Sequence, residues 1–153
     1  MRSGQRLGMV AVAATLLMLT LAGCTASDDI SARLESGNLV FVVCQKQEYT
    51  RLRVLTAEKD VKPVELVDRW VADGDASETH SGSKFVYGTV PDGAATELGP
   101  EVLGLEGRVV QFYLESIEDG SAETGAFGQF DGDLLESDKW LNTIRGLSDT
   151  PCQ

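Results

Sequence analysis

The sequence of 153 residues has very few of the side chains that build metal and redox sites. It has one histidine, His80, and three cysteines, none of which belongs to a Cys-x-x-Cys pair. A single imidazole excludes the familiar multi-histidine zinc sites, and the missing Cys-x-x-Cys argues against a redox motif. We therefore expect no resident cofactor in this chain, and we expect His80, which lies in a polar stretch, to be a structural or a solvent-exposed residue.

Positive charge is also scarce. The chain has 13 Lys and Arg residues against 24 Asp and Glu residues, and Arg108 is the only cation between Lys84 and Lys139. Because nucleic-acid binding needs Lys and Arg to displace counterions from phosphates, this composition excludes nucleic acid as a partner. The acidic C-terminal half is suited to a cationic protein or peptide. The alternative is that the acidity only keeps the protein soluble.

Long hydrophobic runs are limited to one, Leu7 to Leu21, a charge-free segment of 15 residues. It is too short for a stable membrane span, and it follows a positive segment that contains Arg2 and Arg6. Residues 1–23 therefore read as a signal peptide. Without them the chain has 130 residues and a net charge of −13.

The signal peptide ends in Leu21-Ala22-Gly23-Cys24, which resembles the lipobox of bacterial lipoproteins. The resemblance implies that Cys24 carries a diacylglycerol thioether, becomes the mature N-terminus and holds the protein on the extracytoplasmic face of the cell membrane. Two acyl chains at about 0.8 kcal/mol per buried methylene give stable attachment. The alternatives are an ordinary secretory signal with an incidental cysteine and an uncleaved N-terminal anchor.

The residues after Cys24 are polar and contain few large apolar side chains. This composition predicts a lipidated N-terminus and flexible tether over residues 24–37, with one globular domain over residues 38–153. At 3.3 to 3.6 Å per extended residue, such a tether lifts the domain about 40 Å from the lipid surface.

Assigning Cys24 to the lipid leaves an even pair, Cys44 and Cys152. An exported chain meets an oxidising compartment, so we predict a disulfide between them that closes a loop of more than 100 residues. In the chain-entropy model, a loop of that length stabilises the fold by about 4 to 5 kcal/mol. The alternative is two free thiols, with Cys44 as a core residue.

Short apolar or alternating runs separated by Gly, Pro and Asp turns predict a mainly β fold, either a single antiparallel β-sandwich or a small β-barrel. Near the end of the domain, Ser137 begins either a short C-terminal helix or a strand through Trp140. We expect turns at 73–75, 118–120 and 131–133, and an exposed loop over 75–84. The predicted strands are 39–44, 49–56, 64–72, 85–90, 102–105, 108–117 and 126–130.

Acidic turns supply one class of candidate site residues. Asp131 and Asp133, together with Asp73 and Asp75, offer the hard oxygen ligands that calcium prefers, although none matches an EF-hand spacing. Asp-Gly is also the ordinary composition of a tight turn. Acid pairs can hydrolyse glycosides, so an envelope hydrolase that uses acidic residues is the enzymatic alternative.

Aromatic side chains and one serine loop supply the remaining candidates. Because successive side chains of a strand point to opposite faces, Tyr113 lies on the face that Phe112 does not occupy. There it can bind a sugar or a peptide. The segment from Ser81 to Phe85, Ser-Gly-Ser-Lys-Phe, is similar to the Ser-Gly motif of membrane-bound C-type lysozyme inhibitors, which end that motif in Tyr. This resemblance implies a small β-barrel whose Ser81 loop, with Lys84, enters the cleft of a cationic lysozyme.

Together these features predict a membrane-anchored extracytoplasmic lipoprotein with a non-enzymatic domain that binds an envelope component, a peptide or a protein. The alternatives are the hydrolase and the lysozyme inhibitor. The candidate binding residues are Ser81, Lys84, Tyr113, Asp131 and Asp133.

Overall fold

The computed structural model describes residues 29–136, 138–143 and 146–152, which form two five-stranded antiparallel sheets. Sheet A consists of β1 (Ile30–Glu35), β2 (Asn38–Val43), β5 (Ser83–Val86), β9 (Trp140–Asn142) and β10 (Gly146–Ser148). Sheet B consists of β3 (Gln47–Glu58), β4 (Val67–Thr79), β6 (Ala94–Leu98), β7 (Arg108–Glu118) and β8 (Ser121–Asp131). The spatial orders are β10-β9-β1-β2-β5 and β6-β4-β3-β7-β8.

The two sheets pack face to face around one apolar core. Phe41 of sheet A stacks on Phe112 of sheet B, with 4.4 Å between ring centroids, and lies 6.0 Å from Phe130. Trp70 is fully buried in the same core. The sandwich prediction is therefore confirmed, and the barrel alternative is wrong because the sheets do not close on each other.

The predicted strands 39–44 and 108–117 correspond to β2 and β7. The apolar run of β2 is buried on both faces, since Phe41 points into the core while Val40 and Val42 lie under Trp140 on the outer face of sheet A. In β7, Val110, Phe112 and Leu114 are buried in the core, and Gln111 and Tyr113 between them face outward.

The tether prediction for residues 24–37 and the domain start at Asn38 are wrong where the structure describes the chain. Residues 30–35 form β1, which lies between β2 and β9 and buries Ile30 and Ala32 completely. Ser36 and Gly37 connect β1 to β2 with φ angles of 51° and 82°, both left-handed, as a tight two-residue hairpin turn requires. Because Ala32 has a small side chain, the alternation of large apolar and polar residues in this segment is weak, and the strand was not predicted. Residues 1–28, which include the predicted signal peptide and the predicted lipidation site Cys24, lie outside the described residues.

The C-terminal helix prediction is also wrong. Trp140–Asn142 form β9, which is the strand alternative, while Ser137 and Ile144 lie outside the described residues. The only helical segment in the described ranges is a 3₁₀ turn at Gly132–Leu134. No helix in those ranges is long and apolar enough to cross a membrane.

Two predicted loops and one predicted strand are wrong around β4. This strand continues through Asp73-Gly74-Asp75 to Thr79, so neither the turn at 73–75 nor a loop over 75–84 is present. Gly74 permits the continuation because a Cβ there would lie 2.4 Å from the carbonyl oxygen of Gly93, which precedes the neighbouring strand β6. Residues 102–105 are not a strand, and β6 over residues 94–98 was not predicted.

The predicted disulfide is present: Cys44 and Cys152 are bonded across a sequence separation of 108 residues. A buried polar group lies beside it. Ser31 donates a hydrogen bond to Asn142, and the Cys152 amide donates to the Ser31 hydroxyl at 3.1 Å. The C-terminus is thereby fastened to β1 and to the end of β2.

The strands end at two opposite ends of the sandwich, which we name by their contents. The disulfide end carries Ile30, the disulfide and the short connections 44–46, 80–82 and 119–120. The loop end carries the connections 36–37, 59–66, 99–107 and 132–139. At about 3.3 Å per residue, the 12 residues of β3 separate the two ends by about 36 Å.

Candidate binding surface

A groove of about 480 Å³ opens at the loop end, between the β3–β4 connection and the outer face of sheet B. Val61, Val64 and Leu66 form its apolar wall, and Gln111 and Gln129 line the opposite side. We call this the β3–β4 groove. Its wall residues are 48%, 66% and 42% exposed, in that order. An apolar wall facing polar amides is the usual lining of a binding site.

The amides of the groove are oriented by Tyr113. The Tyr113 hydroxyl donates to Gln111 Oε1 at 2.9 Å, and Gln111 Nε2 donates to Gln129 Oε1 at 2.8 Å. Burial raises the pKa of the Tyr113 phenol, and the Phe127 ring packs against it at 4.8 Å. This chain of hydrogen bonds leaves the side-chain nitrogen of Gln129, Nε2, without a partner among the described residues. The Nε2 group can therefore donate a hydrogen bond to a ligand.

Next to the groove, the outer face of sheet B is held together by ion pairs. Arg51 pairs with Asp73 through two hydrogen bonds of 2.6 and 2.7 Å, and Arg53 pairs with Asp68 through two of 3.0 Å. Arg51 and Arg53 alternate with the buried Leu52 and Val54, so both lie on this outer face. Such two-pronged pairs order the surface beside the groove.

Arg53 also contacts Glu115, whose side chain is only 6% exposed. Arg53 Nη1 donates to Glu115 Oε1 at 3.2 Å, while Oε2 is buried and accepts no hydrogen bond from the described residues. The hydrogen bonds that Arg53 donates to Asp68 are the main cause that raises the pKa of Arg53 above its usual value. Arg53 therefore supplies the only ion pair that compensates the buried Glu115 carboxylate within the described ranges.

Asp131 and Asp133 lie at the loop end, where Lys59 occupies the space between them. The Lys59 ammonium pairs with Asp131 and contacts Asp133 Oδ2 at 2.6 Å. Asp133 also accepts a hydrogen bond from the Gly107 amide at 2.8 Å, and both contacts lower its pKa, with Lys59 the larger cause. The two carboxylates therefore fasten the start of the β3–β4 connection to β8 and to the β6–β7 connection. The predicted turn at 131–133 is present.

Ser81 and Lys84 lie on the other side of the molecule. Ser81 is exposed at the tip of the tight β4–β5 turn, where the His80 amide donates to Ser83 Oγ at 2.8 Å. His80 is 77% exposed, which is the solvent-exposed alternative. Lys84 extends from β5 to an ion pair with Glu35. The turn protrudes, but the β-barrel that the lysozyme-inhibitor resemblance implied is not the fold of this chain.

The structure does not bring the five predicted binding residues together. Ser81 lies at the disulfide end and Lys84 on sheet A, Tyr113 lies on the outer face of sheet B, and Asp131 and Asp133 lie at the loop end. Among the described residues, no three His, Cys, Asp or Glu side chains are arranged to hold a metal ion. Only Tyr113 and Asp131 contribute to the β3–β4 groove, Tyr113 through Gln111 and Asp131 directly.

Sequence reasoning missed the wall of the groove. Val64 and Leu66 were assigned to a strand, but β4 begins only at Val67. The available signal was Pro63, which together with the charged residues around it interrupts strand alternation while leaving three large apolar side chains nearby.

Comparison of the chain with protein-family models, with curated proteins and with solved structures found no match. The lysozyme-inhibitor resemblance therefore depends on the five residues from Ser81 to Phe85 alone. Function must be argued from the geometry of the described surface and from the N-terminal motif.

Proposed function

We propose that this chain is a membrane-anchored extracytoplasmic lipoprotein whose β-sandwich is a non-enzymatic binding domain. The motif ending in Cys24 supports the anchor. The disulfide supports export, because such bonds persist in oxidising compartments. The observation that carries the binding role is the β3–β4 groove, an open site with exposed apolar side chains and an oriented amide donor.

The charged groups near the groove favour binding over hydrolysis. A carboxylic acid that donates a proton at neutral pH needs a raised pKa, whereas Lys59 lowers the pKa of Asp133. Calcium is disfavoured at the same place, because the Lys59 ammonium already contacts both carboxylates and offsets one of their two negative charges. Asp131 and Asp133 are therefore assigned a structural role in shaping the loop end.

The anchor is tested by feeding cells a labelled fatty acid and fractionating them. Wild-type protein should carry the label and remain with the membranes, and Cys24→Ala should lose the label. Cys152→Ser is the matched control, since it replaces a disulfide-bonded cysteine and should stay labelled. Label or unchanged membrane retention in Cys24→Ala would refute lipidation of that residue.

The non-enzymatic role is tested with the full chain in membrane vesicles and purified cell wall as the substrate. Wild type and the double variant Asp131→Asn/Asp133→Asn should both release no soluble fragments above the background of empty vesicles. Release by wild type that the double variant loses would establish the hydrolase instead.

A further inference from the structure

The position of β1 shortens the connection between the anchor and the domain. Only residues 25–28 separate Cys24 from Asp29, the first described residue, and β1 begins at Ile30. Five Cα–Cα steps at 3.3 to 3.6 Å reach at most about 18 Å, less than half the reach expected of a tether to residue 37. The domain therefore has little freedom to move away from the lipid surface.

This short connection reaches the disulfide end. Ile30 pairs with Val43, which precedes Cys44, and the Cys44 amide donates to the Asp29 carbonyl at 2.7 Å. The disulfide end must therefore stay within about 18 Å of the bilayer, while the loop end lies about 36 Å farther along the strands. A folded partner protein has no room below the disulfide end, so it must approach the other surfaces.

Exposed apolar side chains are concentrated at the loop end. Eight large hydrophobic side chains in the described ranges are exposed, and seven of them lie on or directly beside the loop-end connections: Val61, Val64, Leu66, Val67, Leu98, Val102 and Leu134. Val102 is 97% exposed. None of the eight lies on a connection at the disulfide end. Exposed apolar residues clustered on one surface are typical of a binding surface.

The charges around the groove indicate the kind of partner. Three carboxylates without an ion pair among the described residues, Glu58, Asp60 and Glu65, line the groove or the pocket that adjoins it, against two such cations, Lys62 and Arg108. The mature chain as a whole carries a net charge of −13. Both the local and the long-range field therefore attract a basic segment.

We propose that the loop end, held away from the bilayer by the short connection to Cys24, binds an extended basic segment of another protein through an apolar side chain seated in the β3–β4 groove. This rests on the proposed lipid anchor and deepens the binding role. The apolar side chain packs on Val61, Val64 and Leu66, the Gln129 amide donates to a backbone carbonyl of the segment, and flanking basic residues meet the unpaired carboxylates.

The orientation is tested with the lipidated chain in vesicles that contain a headgroup quencher. A fluorophore on Glu123→Cys, at the disulfide end, should be quenched strongly, and one on Val102→Cys, at the loop end, should be quenched weakly. Equal quenching in a chain that remains bound to the vesicles would overturn the orientation alone. A chain that does not bind the vesicles would instead refute the anchor.

The docking surface is tested with a short synthetic peptide of alternating leucine and lysine. Leu66→Asp should weaken its binding at least about tenfold, whereas Leu147→Asp should not. Leu147 is the matched control because the two leucines are 42% and 44% exposed and Leu147 lies on β10, outside the loop end. Peptides with serine for leucine or glutamate for lysine should bind weakly.

Three results would overturn the proposed partner. Equal loss of binding in Leu66→Asp and Leu147→Asp would place the peptide outside the groove. Binding of soluble cell-wall fragments that Leu66→Asp abolishes, without peptide binding, would make the ligand a glycan. A dimer in sedimentation that Leu66→Asp dissociates would assign the surface to a second copy of this chain.

Discussion

At the disulfide end the connections between strands are two or three residues long, whereas three of those at the loop end have eight or nine residues. The short connections satisfy their polar groups internally, as when the Thr79 hydroxyl donates to the Gln45 carbonyl at 2.9 Å. The long ones expose apolar side chains and are fastened at points such as Lys59. The disulfide end is therefore suited to a rigid attachment and the loop end to an adaptable surface. Binding loops are commonly carried by a rigid scaffold in this way.

The largest effect on the free energy of unfolding should follow from removing the disulfide. Replacing both Cys44 and Cys152 with serine should lower the free energy of unfolding by about 4 to 5 kcal/mol, because the bond closes a loop of more than 100 residues. Urea unfolding measures this. A loss below about 1 kcal/mol would mean that β1 and the C-terminus are held by the Ser31–Asn142 contacts instead.

The next effect concerns the buried carboxylate beside the groove. Arg53→Met should destabilise the fold by about 2 to 3 kcal/mol because it leaves the buried Glu115 carboxylate without its ion-pair partner. The control is Lys46→Met, at the disulfide end, which breaks an exposed pair with Glu78 and should destabilise the fold much less than Arg53→Met. The double variant Arg53→Met/Glu115→Leu should recover most of the loss. No recovery would show that Arg53 acts through packing.

A smaller effect should appear in acid. Because Lys59 and the Gly107 amide lower the pKa of Asp133 in the folded state, its contribution is present above the ordinary value of 3.8 and is lost as the pH falls through the lower folded pKa. Stability measured from pH 5 down to about pH 2 should therefore fall less steeply in Asp133→Asn than in wild type. Glu123→Gln, which removes a carboxylate with no ion pair in the described ranges, should leave the slope unchanged. Identical slopes for wild type and Asp133→Asn would refute this role.

The smallest effect should come from the exposed apolar side chains of the loop end. Val64→Ser and Val102→Ser should each change the free energy of unfolding by less than about 0.5 kcal/mol, because both side chains are already in solvent. Thermal unfolding of each variant measures this. A loss above about 1 kcal/mol would show that these side chains support the fold and would remove the main evidence for a binding surface.

Much of the fold was predictable because period-two alternation is local. It identified β7, and a continuous apolar run, which is also a local pattern, identified β2. Alternation failed where a neighbouring strand determines the structure. β1 forms between two partner strands, and β4 continues through Asp73-Gly74-Asp75 because Gly74 lets β6 approach closely. The candidate site was predicted less well, since its wall comes from the β3–β4 connection and its floor from β7 and β8.

The sequence by itself determined the class of fold and the pairing of Cys44 with Cys152, because strand alternation and cysteine count need no knowledge of distant contacts. Only the tertiary structure decided which end of the sandwich follows Cys24 and which end exposes apolar loops. The first feature depends on the register of β1 against β2, and the second depends on the side of sheet B over which the β3–β4 connection folds. Contacts between residues distant in the chain set these features, and no local pattern encodes them.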